Sequence, residues 1–238
     1  MSNVAENKTS KDLIETMFSS GAHYGYSKSR RHPSTSTFIF GVKNGVEIFD
    51  LEKTSISLNK ALDFVRTLGE SNQLMLLVSG KKEMKSVITK TGEDLGVLYV
   101  AGRWIGGTLT NFSEIRKRTH KYLDLKEKKD KGELSKYTKK ERLLIDREID
   151  ELGLKFGGVV TMKELPKALF VIDSKEEKIA VTEAKMMGIP VISLFSSDCD
   201  IKDIDFPIPG NDSSVASASF FLSKISEAYK EGQKKSKV

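Results

Sequence analysis

The chain has 238 residues, 39 of them lysine or arginine and 33 aspartate or glutamate, for a formal charge of +6. That length suits one full domain carrying an insertion. The basic excess leans toward a polyanionic partner, because cations that neutralise phosphates release condensed counterions. A single cysteine excludes an internal disulfide framework and a multi-cysteine metal cage. No window reaches the about 18 continuous apolar residues of a membrane span. The polar opening MSNVAENKTSKD fits neither a secretory signal nor a transit peptide, so a soluble intracellular chain is expected.

Taken in order, YGYSKSRRHPSTSTF at 24–38 comes first. Lys28, Arg30, Arg31 and His32 interleave with tyrosines and serines there, and Pro33 prevents a continuing helix. Irregular basic chain of this kind suits phosphate contacts and stacking on bases, with an ordinary surface loop as the alternative. FIFGVKNGVEIF at 38–49 reads as two strands around the Asn44-Gly45 turn. Residues 54–70 carry Ile56, Leu58, Ala61, Leu62, Val65 and Leu68 at helical spacing.

LMLLV at 74–78, ALFVI at 168–172 and PVISLF at 190–195 are apolar runs too short for ordinary helices, and GVLYVA at 96–101 is a weaker fourth. Such runs are what strands of a parallel sheet covered on both faces look like. KKEMK at 81–85 follows the first, placing Lys81 and Lys82 at a helix start on the strand's C-terminal edge, where open α/β sheets bind ligands. The helix at 176–187 carries Ile179, Ala180, Glu183, Ala184 and Met187 and is stopped by Gly188 and Pro190. Strands alternating with helices predict a parallel sheet in an α/β fold.

In GRWIGGTLTN at 102–111, Arg103 offers a fork of donors for phosphate and Trp104 a flat face for a base. The glycines would admit a second backbone, and Asn111 with Glu114 makes a capping-box-like helix start. The alternative is that Trp104 anchors the core and the glycines only turn the chain.

Residues 112–155 break the alternation. Phe112, Ile115, Tyr122 and Leu125 form one narrow apolar stripe and Leu144, Ile145, Ile149 and Leu152 another, with Gly132 available for the turn between them. The two helices should pack antiparallel, as an arm inserted into a body formed by 1–111 and 156–230. Arg116 and Arg118 are the arm's RNA-facing candidates, with a merely solvated helix pair as the alternative. A last helix spans about 213–230, with Val215, Ala218, Phe221, Leu222, Ile225 and Tyr229 on one face, and 231–238 reads as a flexible basic tail.

Catalytic groups are scarce. His23, His32 and His120 lack zinc-type spacing. Cys199 lies between Asp198 and Asp200, which oppose thiolate formation. Neither glycine-rich stretch matches GxGxxG or GxxxxGK[ST]. No cofactor, metal, membrane or small-molecule substrate is expected, and a nucleotide-dependent enzyme on the same framework is the competing class.

In this order the segments resemble the bacterial ribosomal protein S-two family, the second-numbered protein of the small subunit. The resemblance runs from about 11 to 230 and is carried by GAHYGY at 21–26, IFGVKNGVEIFDLEKT at 39–54, RWIGGTLTNF at 103–112 and GELSKYTKKE at 132–141. PKALFVID at 166–173 with AVTEAKMMGIPV at 180–191, and DFPIPGND at 205–212, complete it. The resemblance implies a flavodoxin-like, Rossmann-like three-layer sandwich with an inserted coiled-coil hairpin. It also implies a cytoplasmic, ribosome-associated structural role on small-subunit ribosomal RNA between head and body, in assembly and in docking the mRNA-binding protein S-one. The arm points to a bacterial-type ribosome. The sequence departs from the family at Tyr24 and Tyr26, where phenylalanine and histidine are usual, and at 196–205, where a proline gives way to Ile201.

Overall fold

In a computed structural model, the structure describes residues 12–236. A helix over 12–19 (α1) leads into a small antiparallel sheet of β1 (Tyr24–Ser27), β2 (Ile39–Lys43) and β3 (Val46–Phe49), in the order β1-β3-β2. The β2–β3 turn places Asn44 at φ 52° and Gly45 at φ 79°, the two left-handed residues a tight hairpin needs. β1 is a departure from expectation, since the first four residues of the basic segment pair with β3.

Helix α2 (Leu51–Glu70) is capped by Asp50, whose carboxylate accepts from the Glu52 and Lys53 amides. Five strands and three helices follow outside the arm: β4 (Met75–Ser79), α3 (Lys85–Leu95), β5 (Leu98–Ala101), then after the arm β6 (Ala168–Ile172), α6 (Lys178–Met186), β7 (Val191–Phe195), β8 (Phe206–Pro209) and α7 (Val215–Lys235). The strands form one parallel sheet in the order β5-β4-β6-β7-β8. β8 had no strand signal of its own, because its FPIP sequence carries two prolines, which edge strands tolerate.

Side chains alternate between two faces. Met75, Leu77, Phe170, Ile172, Ile192 and Leu194 pack under α2, α3 and α7, while Leu76, Val78, Leu169, Val171 and Val191 face α6 and the base of the arm. These are three layers of a flavodoxin-like α/β fold. The apolar stripes need correcting at their margins: Ile56, Leu144 and Ile179 are more than half exposed, and α6 buries the expected Ala180 and Ala184 together with Val181.

The arm is α4 (Phe112–Asp130) and α5 (Lys139–Phe156), turned at Gly132, whose φ is 74°. Ile115, Leu152 and Phe156 are buried where the arm meets the body, and Ile149 is buried in α5. Farther out, Lys129 pairs with Asp146 at 2.7 Å, and Lys121 with Glu148. Thr138 and Glu141 form a capping box at the start of α5.

The reading of 231–238 as a loose tail is wrong through Lys235, where α7 ends. The cause is a helix crossing. A Cβ on Gly232 would come within 2.2 Å of the Arg66 carbonyl oxygen, and one on Gly69 within 2.3 Å of that of Tyr229. Backbones this close hold the last turns in place, and Arg66–Glu231 and Lys235–Glu70 ion pairs flank the contact at 3.0 and 3.1 Å.

Candidate nucleic-acid interface

The loops that leave β4, β5, β6, β7 and β8 meet at the C-terminal edge of the parallel sheet. At their centre the Lys81 ammonium lies 2.8 Å from Asp173 and 3.1 Å from Asp212, and it also donates to the Asp212 carbonyl. Burial opposes a charge on Lys81, but the two carboxylates outweigh it and hold its pKa above the usual lysine value. With two acids for one lysine, burial and then Asp173 push Asp212 up to about 6, and its Oδ2 has no hydrogen-bond partner among the described residues. Asp173 sits in the left-handed region at φ 68°, and its other oxygen accepts from the Lys175 and Glu176 amides at 3.1 Å, shaping the turn into α6.

Asp173, Cys199 and Asp212 bring potential metal ligands within 4.8 Å of one another. The Lys81 ammonium lies between the two carboxylates, so the chain supplies its own cation there. Burial, then Asp173 and Asp212, push the Cys199 thiol up to about 12, which removes it as a nucleophile. Lys81 is therefore a structural ion-pair residue, and its expected phosphate contact is corrected: its donors are committed inside the chain.

Glu183 organises the next loop. Its Oε1 accepts from the Trp104 indole N–H at 3.1 Å and the Gly107 amide at 2.8 Å. Its Oε2 accepts from the Leu109 and Thr110 amides at 3.0 and 3.2 Å and the Thr110 hydroxyl at 3.2 Å. Burial works against this charge, but the donors outweigh it and hold the carboxyl below its usual range. Trp104 is 6% exposed and packs beneath the arm. The expectation of base stacking on Trp104 is corrected: the indole is a core anchor whose one polar atom is satisfied by Glu183. Asn111 precedes α4 but its side chain caps nothing, and Glu114 pairs with Lys117 instead.

The basic loop folds over the same edge. The His32 amide donates to the Ser197 carbonyl at 2.8 Å, the Thr35 hydroxyl to the same oxygen at 2.9 Å, and the Tyr26 amide to the Ser197 hydroxyl at 3.0 Å. Lys28 and Arg30 are exposed, with Arg30 5.6 Å from the centre of the Tyr26 ring. Arg31 is corrected from a free cation to a partner of the fully buried Glu47, 3.2 Å away, and His32 turns its Nδ1 to Ser34 at 2.7 Å. Lys82 and Arg103 are exposed, make no ion pair among the described residues, and line one cleft. Arg116 and Arg118 stand exposed on the arm, away from that cleft.

Comparison with known proteins now decides the family. The family model for ribosomal protein S2 matches residues 17–232. The chain belongs to the ribosomal protein S2 family. Small ribosomal subunit protein uS2 of Roseiflexus sp. (strain RS-1) is 40% identical over 220 residues, covering 92% of this chain and 84% of that one. Those of Geotalea uraniireducens (strain Rf4) and Helicobacter acinonychis (strain Sheeba) are 38% and 39% identical, over 95% and 94% of this chain and 87% and 90% of theirs. As an S2 protein the chain is a structural component of the small ribosomal subunit, ribosome-associated in the cytoplasm, with the subunit's RNA and proteins as its surroundings. No helix among the described residues is long and apolar enough to cross a membrane.

Sequence reasoning missed Glu183 and Glu47 as organising carboxylates. The signal for Glu183 was a charged residue inside an otherwise apolar helical stripe. For Glu47 it was an acid alternating with the apolar residues of β3.

Proposed function

We propose that this S2 protein is a non-catalytic RNA-binding scaffold of a bacterial-type small subunit. Its sheet edge faces ribosomal RNA between head and body, and it assists assembly and the docking of S-one. The observation that carries the RNA contact is that Lys28, Arg30, Lys82 and Arg103 are exposed, free of ion pairs among the described residues, and carried by loops at one edge of the sheet. Cations unspent on carboxylates are the ones that release counterions from phosphate. The arm adds Arg116 and Arg118, and Asn111 lies exposed at its root. The S-one partnership follows from the family resemblance.

The test is salt-dependent binding of the chain to small subunits stripped of this protein, beside a Lys28→Ala/Arg30→Ala/Lys82→Ala/Arg103→Ala variant. Binding that weakens steeply with salt, with a shallower salt slope in the variant, is the expected result, since each lost phosphate contact removes about one from the slope. Equal slopes for the two proteins would remove these residues from the interface.

A further inference from the structure

A cleft of about 590 Å³ opens between the ends of β4, β5 and β6, and its lining includes Lys82, Lys85 and Arg103 as well as Ile105, Leu154 and Ile179. A second cavity of about 240 Å³ adjoins it, and Lys85, Gly102, Arg103, Leu154 and Lys155 are among the residues that line both. The location is the switch point of the sheet. From β4 the chain steps outward to β5 and returns on the other side as β6, which leaves a crevice where α/β sheets take ligands. The size falls within the about 300–1,000 Å³ of small-molecule sites.

Two features of the lining narrow the ligand. Lys82, Lys85 and Arg103 have no carboxylate partner among the described residues, whereas Lys155 nearby is paired with Glu151. In the same lining Leu154 is 69% and Ile179 60% exposed, large aliphatic side chains within a cationic cleft. A bare anion would use only the cations and an apolar ligand only the aliphatics. A ligand that satisfies both is a flat apolar ring joined to a phosphate.

We propose that this cleft binds a single nucleoside phosphate, its phosphate held by the unpaired Lys82, Lys85 and Arg103 and its base against the exposed aliphatic surface of Leu154 and Ile179. Two carboxylates also line the cleft. Glu176 is exposed, while burial and then Glu176 push Glu177 up to about 7, so the cleft carries less negative charge at neutral pH than two ionised acids would. The protonated Glu177 carboxyl is a hydrogen-bond donor. This inference goes beyond the scaffold reading for a free nucleotide and rests on it where the nucleotide belongs to the RNA. The nucleotide is either free or one unstacked from ribosomal RNA, and the chemistry of recognition is the same.

The chain reports on its own cleft, because Trp104, its one tryptophan, is among the lining residues. Titration of the full chain with adenosine monophosphate should change Trp104 emission saturably. Adenosine and inorganic phosphate should each bind at least tenfold more weakly. Lys82→Ala/Lys85→Ala/Arg103→Ala should weaken the nucleotide at least tenfold with an unchanged thermal melt, and Leu154→Ala should weaken adenosine as well. Absence of saturation, phosphate binding as tightly as the nucleotide, or a triple variant that binds like the parent would each overturn the proposal. Repeating the titration on assembled small subunits separates the sources: retained binding identifies a free nucleotide, and a cleft already filled identifies a nucleotide of the RNA. Failure of the chain to bind stripped subunits would bear on the scaffold reading alone.

Discussion

Replacing Glu183 with alanine removes both oxygens that hold the 104–110 segment, leaving the Trp104 indole N–H, the Gly107, Leu109 and Thr110 amides and the Thr110 hydroxyl without their acceptor. Hydrogen bonds to a charged group contribute about 1.5–3 kcal/mol each, but bonds that share one carboxylate are not additive. Breaking a buried charged network by removing one partner costs about 3–5 kcal/mol, and that is the loss expected here. At about 2–4 °C per kcal/mol for a chain of this size, the melting temperature should fall by roughly 6–20 °C. Glu183→Gln keeps one acceptor but turns an amide NH2 toward backbone donors, so about 2–3 kcal/mol should go. Urea unfolding followed by Trp104 emission measures both variants, and the native emission itself should shift as the indole loses its partner. A loss below about 1 kcal/mol with unchanged native emission would refute the claim that Glu183 organises the loop. The pH dependence follows from the direction of the shift. The folded carboxyl titrates below its ordinary value of 4.5. Its contribution is therefore present above that pH and lost as pH falls through the folded value, and Glu183→Ala should flatten the acid limb.

Glu177 gives the opposite slope in a different window: its folded carboxyl titrates at about 7 against an ordinary 4.5, so stability should decline as pH rises between those values, by on the order of 3 kcal/mol. Stability curves for Glu177→Gln should decline less over that window, the remaining slope below about pH 6 belonging to Asp212, and a parent-like slope between about 6 and 7 would assign the decline to another group. Arg31→Ala leaves Glu47 buried without its cation and should cost about 2–4 kcal/mol in denaturant, less than for a fully buried pair because a third of the Arg31 side chain is exposed. Lys28→Ala in the same loop should leave the denaturant midpoint unchanged, and equal losses in the two variants would show that the Glu47 pair is not what holds the loop. Gly69→Ala places a methyl group 2.3 Å from the Tyr229 carbonyl oxygen and should destabilise by about 1–3 kcal/mol as α2 and α7 separate. A thermal melt within a degree of the parent would show that the crossing can widen without loss.

Local chemistry by itself determined the α/β alternation, the hairpin turn and the helical arm. Continuous apolar runs such as ALFVI have one low-energy use, a strand covered on both faces, and Asn44-Gly45 has one favoured turn. The ordered motifs likewise determined the family. Tertiary structure alone decided which charged residues are spent inside the chain. Lys81 and Arg31 look in sequence like any exposed charge, and Glu183 shows only that it lies on an apolar stripe; the meeting of β4, β6 and β8, of the basic loop with β3, and of α6 with the 102–111 loop supplies their partners. The same holds for Trp104, buried because the arm closes over it, and for the end of α7, kept helical by a backbone contact with α2. Periodicity reports which face of an element is apolar. It carries no information about which distant polar group that face will meet, because the match is made by packing between elements far apart in the chain.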